Sequence, residues 1–130
     1  MVMAMYKEKL SDCELDLMQI LWDLGPEMSQ PQIKAELERR KNREYGRTTI
    51  ATWLGRMRKS GYVDLCVKEK TSYFFPLITR KEYEEQELNY FARRLFQGSY
   101  AKAMMAFAKS EQLTEADEKV IQEMIDGWND

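Results

Sequence analysis

Residues 46–67 read GRTTIATWLGRMRKSGYVDLCV, and this stretch decides the fold. In its first half, apolar side chains recur every three or four residues, at Ile50, Leu54 and Met57. This is the spacing of one buried face of an α-helix. Gly61 is the residue type that most often follows the end of a helix. In the second half, apolar residues alternate with polar or small ones, at Val63, Leu65 and Val67, as in a strand. The stretch therefore predicts a helix followed at once by a strand.

Two further helices are predicted before this stretch, and each begins with a capping box. Ser11 with Glu14 starts the first helix, and Ser29 with Gln32 starts the second. A Gly-Pro pair at 25–26 ends the first helix, and a basic run at 39–43 ends the second.

A β-hairpin completes the predicted domain. Its return strand contains Tyr73 and Phe75, and its tip is residues 68–71. Three helices, of which the third spans about Arg47 to Ser60, and a two-stranded hairpin make a winged helix-turn-helix domain over residues 1–78.

The remaining residues, 79–130, predict a separate helical domain. Capping signals at Thr79 and Thr114 and a break at Gly98 divide them into three short helices. A segment of this length cannot bury all of its large apolar side chains by itself. We therefore expect the same segment of a second subunit to cover them. The predicted interface residues are Leu88, Phe91, Leu95, Phe107, Val120, Ile121, Met124 and Trp128. The predicted fold class is mainly α with a small two-stranded β wing.

Composition argues against catalysis and against metal binding. The chain has no histidine, which is the commonest general base and metal ligand, and only two cysteines. No nucleophile with a neighbouring base is evident, so neither an enzyme nor a cofactor is predicted. The apolar runs are far shorter than a membrane span, and residues 1–6 do not resemble a signal peptide, so we expect a cytoplasmic protein without membrane contact.

Charge is divided unevenly along the chain. The net charge is −2, yet residues 1–78 carry +2 and residues 79–130 carry −4. Residues 39–59 contain eight basic residues and one acid, which gives a local charge of +7 around the third helix. A basic frame around a helix with short polar side chains suits a major-groove reader of double-stranded DNA.

The candidate contacts follow from this pattern. Predicted base contacts are Arg47, Thr48, Thr49, Thr52 and Arg56, because threonine and arginine bond to base edges. Predicted phosphate contacts are Arg39, Arg40, Lys41, Arg43, Lys59, Lys68 and Lys70. Two alternatives stay open: a merely solvated basic face, and a winged-helix module that binds another protein instead of DNA.

Several stretches resemble one family. Residues 10–22 are similar to the first helix of the penicillinase-repressor family of winged-helix repressors (the BlaI, MecI and CopY type), and residues 48–61 resemble its recognition helix. Residues 73–77 match the strand that closes its wing. The entry to its dimerisation helices resembles Arg80, Glu82 and Tyr83, and the turn after the first of them resembles residues 95–99.

The resemblance implies a homodimeric repressor of a short palindromic operator. It also implies inactivation by a sensor-linked protease, with the scissile bond near Ala106-Phe107. This chain has alanine at 106, where the family usually has asparagine. The wing differs as well, since Asp64 replaces a usual basic residue and the tip lacks the usual glycine.

Overall fold

A computed structural model describes residues 9–128, so residues 1–6, where no signal peptide was predicted, lie outside the described part. In residues 9–128 the elements are α1 (Asp12–Leu24), β1 (Met28–Ser29), α2 (Gln30–Lys41), α3 (Arg47–Lys59), β2 (Val63–Lys68), β3 (Thr71–Pro76), α4 (Arg80–Leu95), α5 (Tyr100–Ala108) and α6 (Glu115–Trp128). The chain is mainly helical with a small antiparallel sheet, as the sequence predicted.

The capping boxes form as predicted. At α1, the Glu14 amide donates to Ser11 Oγ at 3.2 Å, and the Ser11 amide donates to a Glu14 carboxylate oxygen at 2.9 Å. Ser29 and Gln32 repeat the arrangement at α2. Each box satisfies two amides that would otherwise lack partners, which is why both helices begin at these serines.

The sheet has three strands, in the order β1-β3-β2, whereas the sequence predicted two. The added strand pairs Met28 with Phe74 and Ser29 with Tyr73. Two residues are too few to show an alternating pattern, so no local signal marked this strand. At the hairpin tip, Glu69 and Lys70 both have positive φ, 50° and 68°, a geometry that usually favours asparagine and glycine.

The first compact unit extends to Glu84 and is built around one apolar core. The apolar faces of α1, α2 and α3 meet there, with the side chains of Leu17, Ile20, Leu21, Ile33, Leu37, Ile50, Leu54, Met57 and Tyr62 almost fully buried. Tyr83, in the first turn of α4, packs on Trp22 and Tyr62 with ring centroids 5.8 and 5.9 Å apart. This packing explains why the first turn of α4 belongs to the same compact unit as α1–α3. The domain boundary between residues 78 and 79 stays a prediction.

The second compact unit begins at Glu85. Phe91 packs against Phe96 and Phe107, with ring centroids 5.5 and 5.8 Å away. No residue of α6 is buried within the described chain. Between residues 9 and 128, no helix combines the length and the apolar character that crossing a membrane requires.

Candidate nucleic-acid interface

The exposed face of α3 is lined by small side chains. On the opposite face, Ile50, Leu54 and Met57 are buried in the core. The residues of α3 that face solvent include Thr48, Ala51, Thr52 and Gly55. The predicted contacts Thr49 and Arg56 flank this face and are also exposed. The sequence interpretation missed Ala51 and Gly55, although the helical period that located the threonines also passes through them.

The side chains on this small-residue face are short and leave the backbone of α3 accessible. Thr52 Oγ1 donates to the carbonyl oxygen of Thr48 at 2.9 Å, so its hydroxyl lies back along the helix. A Cβ atom built on Gly55 would meet nothing within 4 Å. Another molecule can therefore approach the backbone of α3 closely at this point.

The amino-terminal end of α3 lacks a side-chain cap. Its N-cap is Gly46, which has no side chain to accept from the first-turn amides. By contrast, α1, α2, α4, α5 and α6 begin at hydroxyl caps, Ser11, Ser29, Thr79, Ser99 and Thr114. The uncapped first-turn amides of α3 and the positive end of its dipole favour an anion at this point.

Carboxylates neutralise half of the basic side chains in residues 39–59. The ion pairs are Arg39 and Arg40 with Glu36, Arg40 with Asp23 at 3.0 Å, Lys41 with Asp16 at 3.1 Å and Arg58 with Asp64 at 3.0 Å. Hydrogen bonds from Arg39 and Arg40 lower the pKa of Glu36 to about 2. The predicted phosphate contacts at the end of α2 are thus already engaged within the protein.

The other four cations have no carboxylate at ion-pair distance in residues 9–128. Arg56 and Lys59 line a cleft of about 470 Å³ beside the start of α1. Arg47 lines a different cleft, beside α2, where Gln30 Nε2 donates to its carbonyl oxygen at 2.9 Å. The guanidinium of Arg43 lies 4.7 Å from the ring centroid of Tyr45. The predicted contacts therefore surround α3 instead of forming one cluster.

The two wing lysines differ in their surroundings. Lys68 forms an ion pair with Glu27, whereas Lys70 at the tip pairs with no carboxylate of the described chain. Asp64 accepts from the Leu65 amide and from Arg58, and both bonds lower its pKa. Sequence reasoning did not assign Glu27 a role, because it lies 41 residues before Lys68.

Most of the predicted interface residues of the second unit are exposed. They are Leu88, Leu95, Phe107, Val120, Met124 and Trp128, while Phe91 and Ile121 are half-buried. The Ala106-Phe107 bond lies in the last turn of α5, where the Lys109 amide donates to Met105 O at 3.1 Å. Both residues at this bond are exposed, yet their backbone is helical.

The cysteines form no site. Cys13 is exposed, Cys66 is half-buried and both are free thiols. Over residues 9–128, no three acidic or cysteine side chains come together in a way that would hold a metal ion.

Comparisons with known proteins agree on a fold. A family model described as penicillinase repressor matches residues 10–127. The DNA-binding domain of the repressor BlaI matches with a TM-score of 0.51 at 23% identity, over 59% of this chain and 90% of that one. The hsRosR-S1 complex matches with a TM-score of 0.54 at 15% identity, over 92% of this chain and 91% of that one. RosR of H. salinarum matches with a TM-score of 0.51 at 13% identity, over 78% of this chain and 91% of that one. No curated protein matches. At these identities the solved structures establish the winged-helix fold alone.

Proposed function

The chain belongs to the penicillinase repressor family of transcriptional regulators, and we propose that it represses transcription by binding a palindromic DNA operator as a homodimer. The observation that carries this proposal is the exposed face of α3. Small side chains line its centre, and cations without ion pairs in the described chain surround it. Such a protein works by binding and not by catalysis, and its DNA partner implies a location in the cytoplasm.

The size of α3 fits the major groove. That groove is about 12 Å wide, and a helix with its side chains is about 10–12 Å across. Alanine at 51 and glycine at 55 make this helix thinner on its exposed face, so its backbone can approach the base edges. We propose that Arg47, Thr48, Thr49, Thr52 and Arg56 contact bases there.

Phosphate binding is proposed to come from both ends of α3. At its amino-terminal end, the uncapped amides after Gly46 suit one phosphate oxygen. At its carboxyl-terminal end, Lys59 is exposed and without an ion pair in residues 9–128. Arg43 and Lys70 add charge on either side, while Arg39, Arg40, Lys41 and Lys68 must leave their carboxylates first.

We propose that the second unit forms the homodimer. Val120 is 64% exposed and Trp128 is 67% exposed, and both lie on the apolar stripe of α6. A stripe of this size in water favours a second copy, since a two-fold interface can bury the same stripe from each subunit.

Inactivation by a sensor-linked protease is proposed to act at Ala106-Phe107. Proteolysis takes place in exposed, locally unfolded segments, so the last turn of α5 has to open before the bond is cut. Incubation with candidate proteases, followed by mass analysis of the fragments, tests this proposal. Intact chain or cleavage elsewhere would contradict it.

Selection of bound duplexes from a random pool tests the proposed function directly. We expect a two-fold symmetric sequence whose half-sites lie about one helical turn, or a multiple of it, apart. Binding should weaken steeply as salt is raised, because phosphate contacts release counterions. Absence of binding at low salt would instead favour the protein-interaction module.

A further inference from the structure

Glu27 lies at the junction between the added strand and the wing. It immediately precedes β1, which pairs with the wing strand β3. Its carboxylate oxygen Oε1 pairs with Lys68 Nζ, and its Oε2 accepts from Cys66 Sγ at 3.3 Å. The ammonium of Lys68 also lies 5.9 Å from the ring centroid of Tyr73. Glu27 and Tyr73 thus hold the Lys68 side chain, and Cys66 holds the carboxylate of Glu27.

The contacts maintain this pair at neutral pH. Hydrogen bonds from Lys68 and Cys66 lower the pKa of Glu27, while Glu27 raises the pKa of Lys68. Burial, and then Glu27, raise the pKa of the Cys66 thiol, so the thiol keeps the proton that it donates. The Lys68 side chain is 60% exposed, whereas that of Glu27 is 27% exposed. A ligand from solvent can therefore reach the cation.

We propose that Glu27 is a positioning residue of the DNA interface, whose carboxylate withholds Lys68 from the DNA backbone and so limits the contribution of the wing to affinity. This inference rests on the DNA binding proposed above. A phosphate that binds Lys68 first has to displace Glu27, and the displaced carboxylate then lies near the DNA. Lys70, which has no carboxylate partner in the described chain, needs no such exchange.

The expected effect is modest, because an exposed ion pair is weak. Replacing Glu27 by glutamine keeps its shape and an acceptor for Cys66, but removes the charge that holds Lys68. We expect Glu27→Gln to raise affinity for duplex DNA by about two- to fivefold, the range set by a surface ion pair. The slope of log K against log salt should steepen by about 0.9, the value for one added phosphate contact.

A double-mutant cycle with Lys68→Met tests the coupling in the full chain. The variants are titrated with two duplexes of equal length, one recovered by selection and one of random sequence. Lys68→Met removes the cation that Glu27 withholds. In the Lys68→Met variant, the gain in DNA affinity from Glu27→Gln should therefore be at least twofold smaller than in wild type. Glu69→Gln is the matched control, because it removes one wing carboxylate that has no ion pair in the described chain. Its effect should be the same with and without Lys68.

The outcomes separate this inference from the proposed function. Suppose that wild type binds DNA and that Glu27→Gln raises DNA affinity equally in wild type and in the Lys68→Met variant. Glu27 then acts only through net charge, and the inference is wrong. If wild type binds neither duplex at low salt, the proposed function is wrong and this inference with it. Thermal midpoints close to that of wild type show that each variant is folded.

Discussion

The indole nitrogen of Trp22 donates a hydrogen bond of 2.9 Å to the carbonyl oxygen of Ile78. The bond joins α1 to the segment that leads into α4. The ring of Tyr83 and the guanidinium of Arg80 lie on the indole of Trp22, and Arg80 also pairs with Asp23. Residues far apart in sequence thereby fix where α4 begins.

Trp22→Phe should destabilise the first unit by about 1–3 kcal/mol, because the Ile78 carbonyl loses its donor. Urea denaturation followed by circular dichroism measures the change. Trp53→Phe is the control, since the Trp53 ring packs on Tyr45 without an indole hydrogen bond in the described chain. Equal losses in the two variants would show that the hydrogen bond contributes nothing beyond ring packing.

Base and phosphate contacts should respond differently to alanine. Thr49→Ala and Arg56→Ala should each lower operator affinity by ~1–3 kcal/mol and relax specificity locally. Lys59→Ala should weaken binding to all sequences and flatten the salt dependence. Competition binding with operator and random duplexes distinguishes these effects. Unchanged operator affinity in the first two variants would refute the groove assignment.

Gly46→Asp should change stability and DNA binding in opposite directions. A Cβ at position 46 meets only Thr49 Oγ1, at 3.7 Å, so aspartate fits and caps α3. Stability should rise by a few tenths of a kcal/mol, about the difference between these two N-caps. DNA affinity should fall by about 1.5–3 kcal/mol, because the carboxylate takes the amides proposed to bind phosphate.

Gly46→Asn is the control for that experiment, since asparagine caps the helix without a charge. Thermal denaturation and DNA titration are both needed. A larger loss with aspartate than with asparagine would show the added effect of its charge on a bound phosphate. If neither variant lowers DNA affinity, no phosphate binds at this end of α3.

Met124→Glu should convert the proposed homodimer into folded monomers. Its side chain is exposed on the apolar stripe of α6, so the charge disturbs the interface and not the fold of one chain. Lys119→Glu changes the charge on the opposite, polar face and should leave the dimer intact. Sedimentation equilibrium measures both. A Met124→Glu variant that stays dimeric would place the interface elsewhere.

Acid should weaken the first unit partly through Glu36. Its pKa is lowered from 4.5 to about 2 by Arg39 and Arg40, so the folded state favours the charged form. This stabilisation is fully present above about pH 4.5 and is lost as the pH falls towards 2. Urea midpoints measured from pH 5 to pH 2 should therefore fall less steeply in Glu36→Gln than in wild type. Identical slopes would show that these pairs do not form in solution.

Local sequence predicted the helices because their signals are short-range. The Ser11 and Ser29 caps each act over three residues, and the apolar stripe of α3 repeats within two turns. The same periodicity placed the threonines of α3 on its exposed face. The strand β1 was missed, because its two residues become a strand only by pairing with β3, more than 40 residues later in the chain.

The sequence alone determined the helical elements, the local charge of +7 and the exposed face of α3, since each depends on neighbours within a few residues. Only the tertiary structure decided which of those charges are available. Asp23 of α1 reaches Arg40 of α2, and Asp16 of α1 reaches Lys41 of α2. An ion pair depends on distances of a few ångströms, which folding sets between residues that no local pattern connects.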